Sequence, residues 1–444
     1  MRASNPKSDG GRSPRIAIIG GGITGQTLAI GLLRRNITSF TLYERASAFR
    51  EIGAGIGFTD NAERAMKALD ARIHAGFKSV AAQNSDDWFR YVDGFNHNPQ
   101  NPGDMNEELM FKMYLGERGF EGCRRSDFLQ KLVDMVPSEH VRFRKNLRTV
   151  EEQKDGDGVV VMTFEDGSTA EADVVIGCDG IKSRLRQLMF GPSTNAKYSH
   201  KFAFRGLIPM SKARAALGEE RTAVRVMHLG QDAHALTFPV ADGALLNVVA
   251  FATDPNPWQT DPEEEEGGTK FVAPATRAEA MRAFAAFGPA VKTIMSLLPE
   301  KLDKWAVFDT YDDPVPTYVR GNLCLAGDAA HASCPHHGAG AGCGIEDSLV
   351  LAELLAATAE IGEGSRMTEV LQVYNEVRYE RSQWLVQSSR VVGEMYEWQD
   401  KECGRDAERI GKEVERRSHL IWDYDVDEMV KTALKLMEGR IKGR

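Results

Sequence analysis

Apolar and polar positions follow strand and helix patterns in turn near the start of the chain. Residues 15–19 (RIAII) form a short apolar run rich in β-branched side chains, which predicts a buried strand. Residues 24–35 (TGQTLAIGLLRR) then place apolar side chains at helical spacing, and residues 40–43 return to a strand pattern. This order predicts a β-α-β unit.

The pattern changes further along the chain. Residues 83–108 are rich in Asn, Asp, Pro and Gly and predict a long loop, 124–136 predict a helix, and 141–176 predict short strands. Four strand-like runs then follow one another between residues 201 and 253, separated by turn residues without a helix, which indicates an antiparallel sheet. Residues 254–276 predict an acidic loop, and the pattern is helical from about residue 330 onwards. We therefore expect an α/β fold with an inserted antiparallel sheet and a helical C-terminus.

Composition narrows the classes of function. The formal net charge is −9, and Lys and Arg form no block that could follow a phosphate backbone, so we expect no nucleic-acid partner. The six cysteines are scattered without a CxxC pair, which indicates free thiols in a reducing compartment and no metal cluster. The first fifteen residues lack an apolar signal region, and no run reaches the ~18 apolar residues of a membrane span. We expect a cytoplasmic protein without a membrane partner.

The first motif is a G-x-G-x-x-G turn between the first predicted strand and helix. In it, Gly20 permits a tight turn, Gly22 lets the backbone approach a pyrophosphate, and Gly25 allows the helix to pack closely on the strand. The N–H groups of the following helix would face the phosphates. Glu44 ends the second strand, nineteen residues after Gly25, where a carboxylate can accept from a ribose hydroxyl. The motif predicts a dinucleotide site.

Two further motifs each follow an apolar strand. Asp179 and Gly180 begin the segment DGIKSRLR, which by itself is only a turn signal. Asp328 lies in the segment GDAAH, where a carboxylate at a strand end can hold a sugar-like hydroxyl. The glycine-rich residues 338–344 come next and open a helix, so their N–H groups would face a developing negative charge.

Together, the order and spacing of these motifs resemble the three-part signature of the group A flavoprotein aromatic hydroxylases, which have the para-hydroxybenzoate hydroxylase fold. The resemblance implies a Rossmann-like FAD-binding domain, an inserted antiparallel-sheet substrate domain, and O2 and NADPH or NADH as co-substrates, without a separate nicotinamide domain. The segment RRSDFL resembles a family segment whose arginine contacts FAD. The FAD-binding residues that the resemblance implies are Gly20, Gly22, Gly25, Glu44, Gly55, Arg125, Asp179, Gly180, Asp328, Gly338, Ala339 and Gly340.

A closer resemblance rests on longer segments, among them EIGAGIGFTDNAERAMK, YSHKFAFRGLIPM and GDAAHASCPHHGAGAGCGIEDS. These are similar to fungal polyketide-tailoring monooxygenases, relatives of salicylate hydroxylase that act in azaphilone, asperfuranone and tropolone pathways. The resemblance implies hydroxylation of a phenolic ring through a flavin C4a-hydroperoxide, at a substituted carbon and with loss of aromaticity. A salicylate-type ring hydroxylase, and a flavin reductase or binding protein without oxygenase activity, remain alternatives.

A cation that stabilises a phenolate substrate is expected in the pocket, because phenolate is the better nucleophile. The candidate is Arg205, which matches the family's substrate-orienting arginine; alternation places it with Lys201 and Ala203, opposite Phe202 and Phe204. Tyr114 is the candidate hydrogen-bond donor to the substrate oxygen, because Phe238 occupies the position where some family members have a tyrosine.

The remaining expectations concern the pocket, the metal content and the domains. Phe238, His331 and Pro335 are expected at the substrate pocket, although His331 also fits a position packed under the flavin loop. No metal is expected, since no carboxylate or cysteine completes a set with His331, His336 and His337 in the sequence. We expect a monomer or homodimer with these segments: FAD-binding domain at 12–83, 121–195 and 306–365, loop and substrate-domain segment at 84–120, substrate domain at 196–305, and C-terminal helices at 366–444.

Overall fold

A computed structural model describes the chain over residues 14–49, 55–82, 86–101, 103–116, 120–153, 158–241, 243–258, 271–361 and 367–442. Its strands are β1 (Ile16–Ile19), β2 (Phe40–Tyr43), β3 (Gly55–Phe58), β4 (Trp88–Asp93), β5 (Glu108–Tyr114), β6 (Glu121–Arg124), β7 (Val141–Arg142), β8 (Leu147–Glu152), β9 (Val160–Phe164), β10 (Thr169–Ala172), β11 (Val174–Gly177), β12 (Lys197–Pro209), β13 (Val226–Gly230), β14 (Ala233–Val240), β15 (Leu245–Thr253), β16 (Val272–Thr276), β17 (Lys301–Asp309), β18 (Val319–Arg320) and β19 (Leu323–Leu325).

Its helices are α1 (Ile23–Arg34), α2 (Asp60–Leu69), α3 (Ala71–Lys78), α4 (Arg125–Val133), α5 (Arg184–Phe190), α6 (Met210–Leu217), α7 (Glu219–Ala223), α8 (Arg277–Ala283), α9 (Pro289–Leu297), α10 (Asp328–His331), α11 (Gly340–Ile361), α12 (Met367–Tyr396), α13 (Ala407–Trp422) and α14 (Val426–Lys442). Among these helices, none combines the length and the apolar character that crossing a membrane would require.

The first sheet has the strand order β18-β19-β11-β1-β2-β7. Its central strand β1 pairs in parallel with β2 on one side and β11 on the other, and β11 pairs in parallel with β19. β1, β11 and β19 are buried throughout, as expected for strands with helices on both faces. The predicted β-α-β unit is confirmed, and the carboxyl ends of β1, β11 and β19 bring the three motifs to one edge.

The second large sheet has the order β16-β17-β12-β15-β14-β13-β4-β5. All its pairings are antiparallel except β13 with β4. One face packs on α6, α8 and α9 in a shared apolar core that includes Phe204. Part of the opposite face packs on α12 and α13, through side chains such as Tyr91 and Met395. The antiparallel sheet predicted for residues 201–253 is confirmed.

Two loop predictions need correction. Residues 83–108 contain β4, and β5 begins at Glu108, although 83–85 and 102 lie outside the described residues. β4 is stabilised by pairing with β13, more than 130 residues further along the chain, where Val226 lies opposite Arg90. The local Asn, Pro and Gly content gives no indication of this long-range pairing. The predicted acidic loop at 254–276 ends in β16 on the sheet edge; its residues 259–270 lie outside the described ranges.

Candidate active site

The first glycine loop leaves β1 and enters α1 at close quarters. Gly20 has a φ of +103°, and a Cβ there would overlap the carbonyl group of Cys178. A Cβ on Gly25 would overlap the carbonyl oxygen of Gly20, so helix and loop pack backbone to backbone. A Cβ on Gly22 would meet none of the described atoms within 4 Å. The loop is therefore crowded on its protein side and open at Gly22, the arrangement that a backbone-bound phosphate requires.

The N-terminus of α1 and the carboxylate of Glu44 lie beside this opening. α1 begins after Gly22, which has no side chain to cap the helix, so the first N–H groups of the helix face the opening. Glu44 follows β2, and its carboxylate accepts hydrogen bonds from the backbone N–H of Gly21 and of Ala46, both at 2.8 Å. These bonds hold Glu44 next to the glycine loop, where its oxygens can still accept from a ribose hydroxyl.

Asp179 of the second motif uses its carboxylate within the protein. It accepts from the Ser183 hydroxyl (2.5 Å) and from the backbone N–H of Arg184 (2.7 Å) and Leu185 (3.1 Å), which caps α5. Burial raises the pKa of Asp179, and these hydrogen bonds oppose that rise. Gly180 has a φ of +77° and open space around it. Asp179 thus shapes the turn, and a direct contact with FAD stays a prediction.

Arg186, at the end of the second motif, connects it to the third. Its fully buried guanidinium donates to the carbonyl oxygens of Ala329 (2.9 Å), Asp328 (3.3 Å) and Ile181 (2.6 Å). The side chain therefore fixes the backbone that carries the exposed Asp328 carboxylate. Arg186 lies within the segment DGIKSRLR, but the sequence alone indicates no role for it.

Thr24 joins the first motif to the third. A Cβ added to Gly327 or to Gly344 would lie 2.5 Å from the Thr24 hydroxyl oxygen, so α1 packs directly on the GDAAH turn and on the start of α11. A Cβ added to Gly340 would lie 4.0 Å from Oδ1 of Asp328. The three motifs therefore form one site, with Asp328 and the α11 N-terminus side by side.

A buried polar network supports the loop between α10 and α11. Asp347 accepts from Gly327 N–H (2.9 Å) and Arg378 Nε (2.8 Å), and its Oδ2 lies 2.6 Å from His331 Nε2. Burial alone would raise the pKa of Asp347, but His331 and Arg378 hold it far below its usual range. His331 is fully buried in this network. Its predicted place at the substrate pocket is therefore corrected to one beneath the loop.

The same network contains a set of side chains that the sequence did not bring together. Within the described residues, His331, Cys343 and Asp347 could together offer atoms to a metal ion. Arg378 already donates to both Cys343 Sγ (3.1 Å) and Asp347. A guanidinium in this position supplies the positive charge that the carboxylate needs, which disfavours a second cation there.

Arg205 lies on the sheet face that is turned toward the glycine-rich loop. On this face of β12, Ala203 packs against Cys334, just before that loop, and Lys201 forms a buried ion pair with Glu397. Phe204 packs in the core behind the sheet, so the predicted alternation is confirmed. Burial lowers the pKa of Arg205, its guanidinium carbon lies 5.2 Å from the centre of the Trp305 ring, and its Nε has no hydrogen-bond partner among the described residues.

Phe238 shares this face, whereas Tyr114 does not. Phe238 lies opposite Asn247, two positions from Val249, which pairs with Arg205. Tyr114 lies on the edge strand β5, with four strands between it and β12, and there it is 44% exposed and its ring lies 5.1 Å from that of Trp88. Its neighbour Met113 packs into the core on the Arg205 side, so Tyr114 points the other way. The structure therefore separates the predicted pair Tyr114 and Arg205.

The remaining predicted residues lie on β3, at the start of α4 and in the segment that leads into α11. Gly55 begins β3 opposite Arg124, directly before α4 begins at Arg125. Pro335 is exposed at the start of a short 3-10 turn, and Gly338 ends that turn with a φ of +64°. Buried Ala339 leads into α11 at Gly340. Contacts of these residues with FAD stay predictions.

Comparison with known proteins decides the family. The family described as "FAD binding domain" matches residues 14–389. FAD-dependent monooxygenase orf3 of Aspergillus niger is 54% identical over 443 residues, covering 97% of this chain and 98% of the relative. FAD-dependent monooxygenase pigN of Monascus ruber is 59% identical over 436 residues, covering 96% and 97%. The chain is an FAD-dependent monooxygenase.

The predicted likeness of this FAD-dependent monooxygenase to salicylate hydroxylases is also confirmed. Salicylate hydroxylase asL1 of Sarocladium schorii is 43% identical, covering 96% of this chain and 92% of the relative. The solved structure described as "Salicylate hydroxylase substrate complex" is 33% identical, with a TM-score of 0.82 over 95% of this chain and 98% of that one. These matches confirm the α/β fold with FAD as cofactor.

The site of this FAD-dependent monooxygenase fits FAD group by group. The opening at Gly22 with the uncapped α1 N-terminus suits a pyrophosphate, and Glu44 suits the adenosine ribose. Exposed Asp328 can accept from hydroxyl groups of the ribityl chain, and the N-terminus of α11 at Gly340 can stabilise negative charge on the reduced ring. Thr24 and Arg186, which position these groups, had no signal in the sequence beyond their place in the motifs.

Proposed function

We propose that this FAD-dependent monooxygenase hydroxylates a phenolic aromatic ring at a carbon that already carries a substituent, so that the product loses its aromaticity. NAD(P)H supplies two electrons, one atom of O2 enters the ring carbon, and the other atom leaves as water. The phenol O–H becomes a carbonyl oxygen because the substituted carbon has no proton to release. FAD supplies the redox and oxygen-activating chemistry when bound.

The observation that carries the proposal is the environment of Arg205. A half-buried guanidinium with a buried Nε, on the sheet face turned toward the glycine-rich loop, attracts an anionic oxygen. A phenolate beside it would have a lowered pKa and a more electron-rich ring. The Trp305 and Phe238 side chains on this face are apolar enough to pack against an aromatic ring. Arg205 therefore binds and orients the substrate oxygen.

A salicylate-type hydroxylation is the second candidate. It is favoured by the 33% identity to a salicylate hydroxylase structure across 95% of this chain. In that reaction the substituent would be a carboxyl group, which leaves as CO2, and the ring stays aromatic. The same arginine would then hold the phenolate, so the two candidates differ in the product and in the pocket around the substituent.

The test is oxidation of NADPH or NADH by the purified holoenzyme, with a ring-methylated 2,4-dihydroxybenzaldehyde or salicylate added or withheld. We expect the aldehyde to stimulate oxidation and to gain one oxygen atom while its aromatic absorbance disappears. An aromatic product with loss of CO2 from salicylate would favour the second candidate. Substrate-independent oxidation that yields no hydroxylated product would refute both and indicate a reductase.

Arg205→Gln and Arg205→Lys separate the role of the side chain from that of the fold. We expect Arg205→Gln to retain FAD but to lose roughly ten- to a hundredfold in substrate affinity, because a charge-assisted hydrogen bond is lost. Arg282→Gln, on helix α8 behind the sheet, is the matched control and should bind like the unaltered enzyme. Unchanged substrate affinity in Arg205→Gln would show that Arg205 does not bind the substrate.

A further inference from the structure

A buried pair of a carboxylate and an imidazole lies on the face of the sheet that carries Arg205. His234 on β14 is fully buried, and its Nδ1 lies 3.0 Å from Oε1 of Glu397, which directly follows α12. Lys201 forms an ion pair with this carboxylate and keeps it ionised. An ionised carboxylate can only accept hydrogen bonds, so His234 carries its proton on Nδ1 and has an acceptor at Nε2.

A second imidazole packs beside this pair. His336 is the middle residue of the turn Pro335–His337, and its ring centre lies 5.2 Å from that of His234 and 4.9 Å from that of Phe251. A Cβ added to Gly393 would lie 2.4 Å from the His336 ring, so the imidazole packs directly on the backbone of α12. The two imidazoles are therefore held side by side where the sheet, the turn and α12 meet.

Three nitrogen atoms of these two rings are buried without a hydrogen bond. They are Nε2 of His234 and both ring nitrogens of His336, and none of them has a partner within the described ranges. Buried polar atoms in folded proteins nearly always have a partner, and leaving one unpaired is costly. Each neutral imidazole offers one donor and one acceptor. The two rings can therefore accept a proton at one end and pass it to the other.

The pair of rings lies one row of side chains away from Arg205. Phe251 of β15 pairs with His234 of β14, and Val249, two residues earlier on β15, pairs with Arg205 of β12. Phe251 and Val249 both pack in the cluster on the loop side of the sheet. The Cα atoms of Arg205 and His234 are therefore about 12 Å apart, at ~4.8 Å per strand and ~3.4 Å per residue. A phenol held by Arg205 would lie next to the row that His336 covers.

Both imidazoles are neutral at pH 7. Burial is the main cause that lowers the pKa of His336 and of His234, and Glu397 acts in the opposite direction on both. The other titratable groups that face the two rings are Lys201, His337 and Tyr396. A neutral imidazole can act as a base, and the carboxylate of Glu397 would stabilise the imidazolium that His234 becomes on accepting a proton.

We propose that His336 and His234 form a proton relay that takes the phenolic proton of the substrate held at Arg205, with Glu397 as the residue that orients His234. This inference rests on the proposed function. The phenol O–H bond breaks, its electron pair stays on the oxygen of the phenolate, and the proton moves through His336 to Nε2 of His234. A rotation of one ring, or one bridging water molecule, joins the two rings during the transfer. After hydroxylation the proton returns along the same path to the oxygen atom that leaves as water.

The competing explanation is that the two imidazoles only pack the turn against the sheet and α12. Under that explanation their loss would reduce product formation by the same factor at every pH. Under the proposal the loss would be large at low pH and would disappear at high pH, where hydroxide in the solvent removes the phenolic proton. The pH profile therefore separates the two explanations.

The experiment measures the rate of product formation by the holoenzyme between about pH 6 and pH 9, with a ring-methylated 2,4-dihydroxybenzaldehyde and NADPH. The formyl group makes this phenol more acidic than an ordinary phenol, whose pKa is about 10, so the substrate ionises within this range. We expect His336→Gln and His234→Gln to lower the rate roughly a hundredfold at pH 6, because a positioned base contributes about 10²–10⁴-fold. The loss should shrink about tenfold per pH unit, while the dissociation constants of FAD and substrate change less than about threefold.

His337→Gln is the matched control, because it makes the same substitution in the same turn. Nε2 of His337 lies 2.9 Å from the Ser388 hydroxyl, so this imidazole already has a partner outside the relay. Glutamine can keep a hydrogen bond to that hydroxyl. We expect this variant to form product at the rate of the unaltered enzyme throughout the pH range.

A loss of equal size at every pH, or full product formation at pH 6, in a variant that retains FAD would overturn the proposal. If His234→Gln does not fold, His336→Gln decides the question, because it leaves the bond between His234 and Glu397 in place. Failure of the unaltered enzyme to form hydroxylated product at any pH would instead refute the proposed function. Product formation by the unaltered enzyme, with variants that match its pH profile, would leave the proposed function intact and refute the relay.

Discussion

Replacement of Gly22 by alanine separates cofactor binding from folding in this enzyme. Gly22 has a φ of −73° and a ψ of −170°, which alanine adopts without strain, and a Cβ there meets none of the described atoms within 4 Å. We therefore expect the stability of the FAD-free protein to change by no more than about 0.5 kcal/mol. The added methyl group occupies the open side of the loop, where the pyrophosphate approaches the backbone.

The expected loss of FAD affinity follows from the hydrogen bonds at this opening. Displacement of the pyrophosphate from one backbone N–H removes a bond to a charged group, which contributes about 1.5–3 kcal/mol. The dissociation constant of FAD should therefore rise roughly 10- to 150-fold. Isothermal titration of the FAD-free protein with FAD measures this constant, and thermal unfolding of the same sample measures stability.

Gly25→Ala is the matched control, because the same methyl group added there has the opposite consequence. A Cβ on Gly25 would overlap the carbonyl oxygen of Gly20, so α1 must shift away from the loop. Such overpacking lowers the free energy of unfolding by about 1–3 kcal/mol. If Gly22→Ala destabilised the FAD-free protein as much as Gly25→Ala, or if it bound FAD normally, the assignment of the open side to the pyrophosphate would be wrong.

Two further predictions concern buried charges. Burial opposes ionisation of Glu397, but the hydrogen bond from His234 and the charge of Lys201 lower its pKa from 4.5 to about 2. The carboxylate therefore stabilises the protein above about pH 4.5, and this stabilisation is lost as the pH falls toward 2. Glu397→Gln should therefore lower the free energy of unfolding near pH 7 by roughly 3–5 kcal/mol, because Lys201 is left buried without its partner. The denaturant midpoint of this variant should depend less on pH between 5 and 3 than that of the unaltered enzyme. Parallel pH profiles of the two proteins would contradict this assignment. Arg186→Leu should lower FAD occupancy, measured as the 450 nm to 280 nm absorbance ratio, because the carbonyl group of Asp328 loses its buried donor; full occupancy would show that Arg186 does not position Asp328.

The family could be recognised from the sequence because each of its motifs consists of residues close together along the chain. Gly20, Gly22 and Gly25 are spaced for one turn of backbone between a strand and a helix, and the structure uses that spacing as expected. The periodicity of residues 24–35 likewise predicted α1, since its apolar positions are determined by contacts that repeat every turn. Such features depend on neighbours in sequence, so one sequence is sufficient to predict them.

Strand β4 and Tyr114 show where local reasoning was insufficient. β4 lies in a segment rich in turn residues, and it is a strand because β13 pairs with it. The face that Tyr114 occupies depends on the register of β5 against β4, and a shift of one residue would reverse it. Register is determined by long-range pairing, which the residues around Tyr114 do not encode.

The sequence by itself determined the FAD-binding motifs, the inserted antiparallel sheet and the face of Arg205, because each follows from spacing within one element or from the succession of neighbouring elements along the chain. Only the tertiary structure decided that His331 lies under the loop on Asp347 and that His336 packs beside His234. Those positions arise where strands and helices from distant parts of the chain meet. Their physical basis is packing and burial of charge between elements, which no pattern within one element specifies.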